Sequence, residues 1–399
     1  MLQISDKGKA LPISPIRRLV PLANKAKERG IKIYHLNIGQ PDIETPKGAL
    51  EVLRNTDLKV IEYTASDGNK NLRKKMAEYF NKRGGNFNEN EIVITTGGSE
   101  AILFSFLITL NPGDEIIMAE PFYANYISFA TITGAVVKTV GSSIENNFAL
   151  PPMSEFEKII TPKTKGIVLI NPNNPTGYLY TKNELTELAK IVKKHNLYLY
   201  ADEVYREYCY DGLEHYSVIN FKDIEQNVIL CDSLSKTYSE CGIRIGAILS
   251  KNKEVMAAAM KFAMARLCPP ALGQIVAEAS YDTPQEYFTS VREEYIKRRN
   301  FMVEALNNMP GVYCPTPKGA FYSIVKLPVD DADKFAEWML EKFEYNGQTV
   351  MVAPASGFYS DPKMGRNQVR MAYVLKISEL EKAMEILALA LKQYPGRVE

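Results

Sequence analysis

Between about Pro46 and Cys268 the chain alternates short runs of apolar and β-branched residues with longer stretches whose apolar positions recur at helical spacing. The short runs predict strands at Ile92–Thr95, Glu115–Ala119, Val136–Val140, Gly166–Ile170, Leu197–Ala201, Val228–Cys231 and Ile245–Leu249. They are apolar on both faces and separated by helical stretches such as Lys182–His195. Parallel strands covered by helices on two sides are therefore expected. Beyond Tyr287 a charged helical stretch runs to about Asn308, followed by strand-like pieces at Gly319–Val325 and Gln368–Val374 and a last helix over Ser378–Gln393. The first 45 residues hold a basic helix, Pro15–Arg29, and a loop, Gly39-Gln40-Pro41-Asp42, too little for a core of their own. They are expected to pack with the C-terminal unit. The fold class read from this pattern is α/β: a large doubly wound, mostly parallel-sheet domain over residues 46–299, and a smaller α+β domain from residues 1–45 and 300–399. No repeat or flexible linker interrupts it, so one body with a hinged lid is expected.

Composition narrows the partners. With 46% hydrophobic residues the chain can bury a sizeable core, and 48 basic residues against 47 acidic ones leave no electrostatic footprint for nucleic acid or an anionic membrane. The ligand should be small. Five cysteines, at 209, 231, 241, 268 and 314, lack metal or redox spacing and read as reduced thiols of a cytoplasmic protein, with no metal site. Met1 to Leu11 alternates polar and apolar residues without a sustained apolar region, and the run near Ala101–Leu110 is too short to cross a bilayer. No export signal or transmembrane helix is expected.

In doubly wound sheets ligands bind beyond the carboxyl ends of the strands. Several of the predicted strands end there in polar residues. Thr95-Thr96-Gly97-Gly98-Ser99 runs from a strand through two glycines into a helix, a candidate phosphate cradle, although such a pair can also be only a tight turn. It has neither the Walker lysine nor the dinucleotide glycine spacing, which disfavours ATP and NAD. Asn171-Pro172-Asn173-Asn174-Pro175-Thr176-Gly177 is either a stiff loop holding an amide for a ligand or an ordinary β–α turn. Asp202, at the mouth of an apolar strand, needs a cationic or N–H partner, such as a protonated ring nitrogen, unless it merely caps the next helix. Tyr205 follows three residues later. Lys236, between Ser233, Ser235 and Thr237 and with Arg244 eight positions on, is either a covalent nucleophile or a solvated surface lysine. His35, His195 and His215 show no catalytic or metal spacing and are expected at the surface or in loops. Trp338 with Phe335, Met339 and Phe343, and the tyrosines from Tyr208 to Tyr216, read as packing.

Taken in order, these motifs resemble the fold-type I pyridoxal-phosphate aminotransferases of class I/II, over residues 39–370. The resemblance implies that Lys236 forms a Schiff base with pyridoxal 5'-phosphate and carries the proton between substrate and cofactor. It also implies that Asp202 pairs with the pyridinium nitrogen, that Tyr205 and Asn174 bond the ring O3', and that Gly98, Ser99, Ser233, Ser235 and Arg244 hold the phosphate. Tyr123 matches the aromatic that stacks on the ring. Tyr63 matches a tyrosine given to the phosphate by a neighbouring subunit, implying a homodimer with shared active sites. Arg370 matches the arginine that grips the substrate α-carboxylate, with Gly39 on the loop above it. One branch of aspartate aminotransferases places a lysine for the distal carboxylate where this chain has Ser99. Arg266 is the expected replacement, with Arg17 or Arg18 as second choice. The expected reaction moves the α-amino group of an amino acid, L-aspartate first, to 2-oxoglutarate. A neutral or aromatic amino-acid aminotransferase and a β-lyase of cysteine conjugates stay open, and a non-catalytic binding module is opposed by the joint presence of Lys236, Asp202, Tyr205 and Arg370.

Overall fold

The apolar runs pair into a single sheet because each is too hydrophobic on both faces to leave either against water. The computed structural model describes residues 2–398. The chain's first strand, β1 (Lys32–His35), lies apart from this sheet. The sheet itself contains β2 (Ile92–Thr95), β3 (Glu115–Glu120), β4 (Val136–Gly141), β5 (Thr164–Ile170), β6 (Tyr198–Asp202), β7 (Val228–Ser233) and β8 (Gly246–Leu249), in the order β2-β8-β7-β6-β5-β3-β4. Its middle is parallel: β7, β6, β5, β3 and β4 run in one direction.

The expectation that Ile245–Leu249 would join as another parallel strand is corrected. β8 is antiparallel to both β2 and β7. The connection from Ser233 to Gly246 contains only the one-turn helix Leu234–Thr237 and a 3-10 turn, Cys241–Ile243. That is too little helix to cross the sheet and return, so the chain doubles back. As a result Gly246, the first residue of β8, sits opposite both Ser233 and Thr95, at the carboxyl ends of their strands.

Helices cover both faces. The helix Lys182–His195 starts with a reciprocal cap in which Thr181 Oγ1 accepts from the Glu184 amide at 3.2 Å and Glu184 Oε2 accepts from the Thr181 amide at 2.7 Å. Its buried face, Leu185, Leu188, Ala189 and Val192, packs with Leu169, Leu199 and Leu230 of the sheet. The helix Gly97–Thr109 is apolar nearly all round and lies on the other face, with Ile116, Val168 and Ile229. No described helix is long and apolar enough to cross a membrane.

The two ends of the chain meet. β1 pairs in parallel with β10 (Gln348–Met351), from Lys32 opposite Gln348 to His35 opposite Met351. Beside them β9 (Tyr322–Lys326), β11 (Ala353–Pro354) and β12 (Gln368–Ala372) form an antiparallel sheet in the order β11-β12-β9. One buried cluster joins Leu19, Leu36, Phe335, Met339, Val350 and Leu387 with Tyr208 and Tyr210, and Trp338 packs against it at its edge. The helix Gln285–Asn307 runs unbroken through position 299 and Ile377–Gln393 closes the chain. The N-terminal basic stretch is not one helix. A 3-10 turn, Arg17–Leu19, precedes the helix Val20–Glu28, whose Pro21 suits a helix start because it has no N–H to leave unbonded. Asp6–Ala10, read from sequence as alternating, is a short helix capped by Ser5.

At Gly246 an added Cβ would lie 2.5 Å from both the Asp232 carbonyl oxygen and the Gly97 carbonyl carbon, all backbone. Gly246→Ala is therefore expected to lower stability by about 1–3 kcal/mol, the usual range for overpacking. A denaturant midpoint equal to that of the unaltered chain would contradict this.

Candidate active site

The carboxyl ends of the parallel strands open into a cavity of about 690 Å³ lined by Gly39, Gly98, Ser99, Tyr123, Asn174, Asp202, Tyr205, Ser233, Ser235, Lys236, Arg244 and Arg370. Residues separated by more than three hundred positions thus face one space. Each end of it has its own chemistry.

One end suits an anion. Gly97 adopts a left-handed backbone, φ +73°, and a Cβ there would stand 2.4 Å from Arg244 Nη2, so only glycine lets the guanidinium come this close to the start of the helix Gly97–Thr109. The first amides of that helix have no acceptor within it. Ser233 Oγ donates to Ser235 Oγ at 2.9 Å and caps the helix Leu234–Thr237 by accepting from the Ser235 amide at 3.2 Å. Hydroxyls, helix amides and one arginine therefore converge, a donor set matched to a phosphate.

The opposite end is acidic. Asp202 is the last residue of β6, not the first beyond it, and is buried. Its carboxylate accepts from Tyr126 Oη at 3.0 Å and from the Val204 amide at 3.3 Å. Burial pushes its pKa from the ordinary 3.8 up to about 6, against the opposing pull of these two bonds. A cationic N–H facing Asp202 would reverse that shift. Behind it lies a buried ionic layer in which Arg206 Nη2 bonds Asp232 Oδ1 at 2.6 Å. In the same layer Glu203 accepts from Ser217 Oγ at 2.6 Å and the Val218 amide at 3.0 Å, while burial lifts its pKa to about 7. His215 sits in a loop, as expected, yet its side chain is only 7% exposed and burial lowers its pKa to about 3, keeping it neutral.

Between the two ends, Lys236 Nζ donates to the Gly39 carbonyl at 2.7 Å and lies 3.7 Å from Cys241 Sγ. Gly39 itself has no room for a side chain, because a Cβ would meet Tyr322 Oη at 1.6 Å. Arg370, buried on β12, donates Nη1 to Asn174 Oδ1 at 3.1 Å and Nη2 to the Asn37 carbonyl at 2.7 Å, and its Nε has no protein partner. Tyr123 Oη accepts from Asn125 Nδ2 at 2.8 Å, and burial raises the Tyr123 pKa.

Three residues singled out from sequence stand elsewhere. Arg266 does not line the cavity: its Nη1 is 2.5 Å from Glu100 Oε2 and its Nη2 donates to the carbonyls of Ser66 and Ile94. A carboxylate and two carbonyls thus hold this guanidinium outside the cavity of its own chain, with only its buried Nε lacking a partner. Arg18 is held by Asp333 and by Glu337, the latter at 3.3 Å. Tyr63 lies on the surface, 81% exposed, beside Cys268, Pro269 and Pro270. Arg17, by contrast, lines the cavity and among the described residues pairs with no carboxylate. Sequence reasoning missed Tyr126, one helical turn beyond Tyr123, and Tyr322, in the string Gly319-Ala320-Phe321-Tyr322. It also missed Arg206 and Asp232 as an ion pair, for which the only signal was a buried-strand aspartate needing a partner.

The raised pKa of Asp202 has a pH consequence. The folded protein binds this proton more tightly than the unfolded chain, so the stabilisation is complete below pH 3.8 and is lost as pH rises through about 6. The melting temperature of the cofactor-free protein is expected to fall across that window by the equivalent of on the order of 2–3 kcal/mol. Asp202→Asn should remove this part of the slope. Glu203 and Glu240, with pKa values of about 7 and about 8, continue the decline at higher pH in both proteins. Equal slopes for the two proteins between pH 4 and 6 would refute the assignment.

Comparison with known proteins gives the family of the chain. The family model of aminotransferase class I and II matches residues 31–387. An aspartate aminotransferase of Pyrococcus horikoshii is 31% identical, with 98% of this chain and 97% of that protein covered. An aromatic-amino-acid aminotransferase of Thermococcus litoralis is also 31% identical, over 98% of this chain and 99% of that one. The solved alanine aminotransferase of Pyrococcus furiosus superposes with a TM-score of 0.90 at 29% identity, covering 98% of this chain and 100% of that chain. With a phosphate-type donor cradle at one end of its cavity, a buried carboxylate at the other and a lysine between them, the chain belongs to the class I and II aminotransferases.

Proposed function

We propose that the protein is a homodimeric, cytoplasmic transaminase that binds pyridoxal 5'-phosphate through Lys236 and moves the α-amino group of an acidic amino acid, L-aspartate first, to 2-oxoglutarate. The reading divides the chain into a cofactor-binding unit, 46–299, and a smaller unit from its two ends that closes over substrate. When bound, the cofactor supplies an aldehyde for amines and an electron-withdrawing ring.

The residues present fit that group. Arg244, Ser233, Ser235 and the amides of Gly98 and Ser99 would hold its phosphate, in a cradle where Gly97 leaves room for the guanidinium. Asp202 would keep a proton on the ring nitrogen; its burial without a cationic partner is the feature that supports this most directly. Tyr205 and Asn174 would face the ring oxygen, and Tyr123 would cover the ring. Lys236 would hold and move a proton at Nζ, with the Gly39 carbonyl orienting the amine. Arg370 would take the α-carboxylate in a fork, for which its unpartnered Nε is consistent. Tyr63 and the exposed apolar side chains Val60, Ile61 and Leu267 support pairing with a second copy that completes the site.

The single observation that carries the choice of an acidic substrate is Arg17. Of the three arginines weighed for the distal carboxylate it alone lines the cavity, and among the described residues it pairs with no carboxylate, while Arg18 and Arg266 are both paired. The same wall contains Ile16, Val20, Ile38 and Ile102, which supports a second reading in which aromatic or neutral amino acids are also accepted.

A half-reaction screen tests the reading: each amino acid is added in turn to the loaded protein and the cofactor absorbance is followed. Lys236→Ala is expected to abolish turnover and the lysine-bound absorbance band together. Arg17→Ala should raise KM for aspartate and 2-oxoglutarate about 10- to 100-fold, as expected for losing a charge-assisted hydrogen bond, with phenylalanine little changed. Unchanged aspartate kinetics in Arg17→Ala would remove the basis for the acidic substrate.

A further inference from the structure

We propose that Tyr322 is a positioning residue that fixes the direction of the Tyr205 proton, leaving that proton free for an oxygen of the bound cofactor. This rests on the function proposed above. Tyr322 opens β9, is 2% exposed, and still lines the cavity.

The direction of each hydrogen bond around it can be worked out from one end. Arg370 can only donate, so the Asn174 oxygen must be the atom that faces it, at 3.1 Å. That turns the Asn174 amide nitrogen, also only a donor, toward Tyr205 Oη at 3.5 Å. Tyr322 Oη lies 3.1 Å from Tyr205 Oη and 3.4 Å from the Gly39 carbonyl, which already accepts from Lys236 at 2.7 Å. The shorter contact is the better partner for the Tyr322 proton. Tyr205 oxygen thus receives two donors, and its own proton has no acceptor among its protein contacts. Arg370 also stands 4.5 Å above the Tyr322 ring, holding that ring from the other side. Burial holds the Tyr205 phenol well above its usual pKa, so it stays protonated and able to donate.

A phenol that accepts two hydrogen bonds is a stronger donor through its own proton. Removing the Tyr322 hydroxyl should weaken the bond from Tyr205 to the ring oxygen beside the cofactor's reactive carbon. With the cofactor bound, that oxygen would then hold a proton on the Lys236 nitrogen more firmly, and the lysine-bound absorbance band would titrate at higher pH.

The experiment is a pH titration of that band in the loaded enzyme. Tyr322→Phe should raise the midpoint by about half a unit to one unit, the size of one neutral hydrogen bond. In a Tyr205→Phe background the same substitution should leave the midpoint within about 0.2 unit, because the two changes share one path. Replacing Tyr322 by 3-fluorotyrosine, a more acidic phenol of nearly the same shape, should lower the midpoint, and this holds the test open if Tyr322→Phe loads cofactor poorly. Melting of the cofactor-free proteins checks that the fold is kept. A midpoint unmoved by both Tyr322 replacements overturns the proposal, and so does a shift that persists in the Tyr205→Phe background. If the unaltered protein never acquires the band, the function proposed above falls with it; if the band forms and only these shifts fail, the role of Tyr322 alone is lost.

Discussion

β8 begins where its antiparallel neighbours, β2 and β7, end, and the cavity depends on that reversal. Gly246 pairs with both Thr95 and Ser233, so the cradle after β2 and Ser233 at the end of β7 flank the start of one strand, and a Cβ on Gly98 would lie 3.3 Å from Ser233 Cβ. The stretch between Ser233 and Gly246 then has no space to form a long helix. It turns over the strand ends instead, carrying Lys236 and Arg244 with it. Gly246 meets backbone and Gly97 meets the Arg244 guanidinium, and neither position tolerates a side chain.

The electrostatics follow from the same geometry. A strand that stops at the sheet's centre ends in a buried place, and Asp202 is left there with only a phenol and an amide for partners. Beneath it the charges are paired inside the protein: Arg206 with Asp232, and Glu203 held by Ser217 and Val218. The two layers differ in kind. The lower one does not reach the cavity wall, whereas the upper one presents a raised-pKa carboxyl and an incompletely bonded arginine, Arg370, to the cavity. The segment that crosses above them, from Asn37 to Gly39, ties both ends together, since Arg370 donates to one of its carbonyls and Lys236 to another.

Much of this was legible in the chain's pattern, and for local reasons. Apolar runs of strand length, helical spacing between them, and polar residues at run ends depend on nearest neighbours along the chain, so the sheet's strands were found to within about two residues at either end, the usual limit for such boundaries. Gly97-Gly98, Asp202, Asn174 and Lys236 were visible because each lies at the end of such a run. Arg370 and Tyr123 came only through the family resemblance. Tyr322 and Tyr126 carried no local mark, because an aromatic residue beside a strand or in a helix looks like packing until its hydroxyl's partner is known.

Arginine shows the division most clearly. The sequence by itself determined that the chain is an α/β protein with a lysine, an aspartate and a glycine pair at strand ends, because burial and periodicity are properties of short stretches. It also ranked Arg266 ahead of Arg17 and Arg18 for one task. Only the tertiary structure distinguishes their surroundings, by placing Glu100 against Arg266, Asp333 and Glu337 against Arg18, and no carboxylate among the described residues against Arg17. A charge's function depends on what neutralises it, and those partners lie up to 319 residues away in the chain.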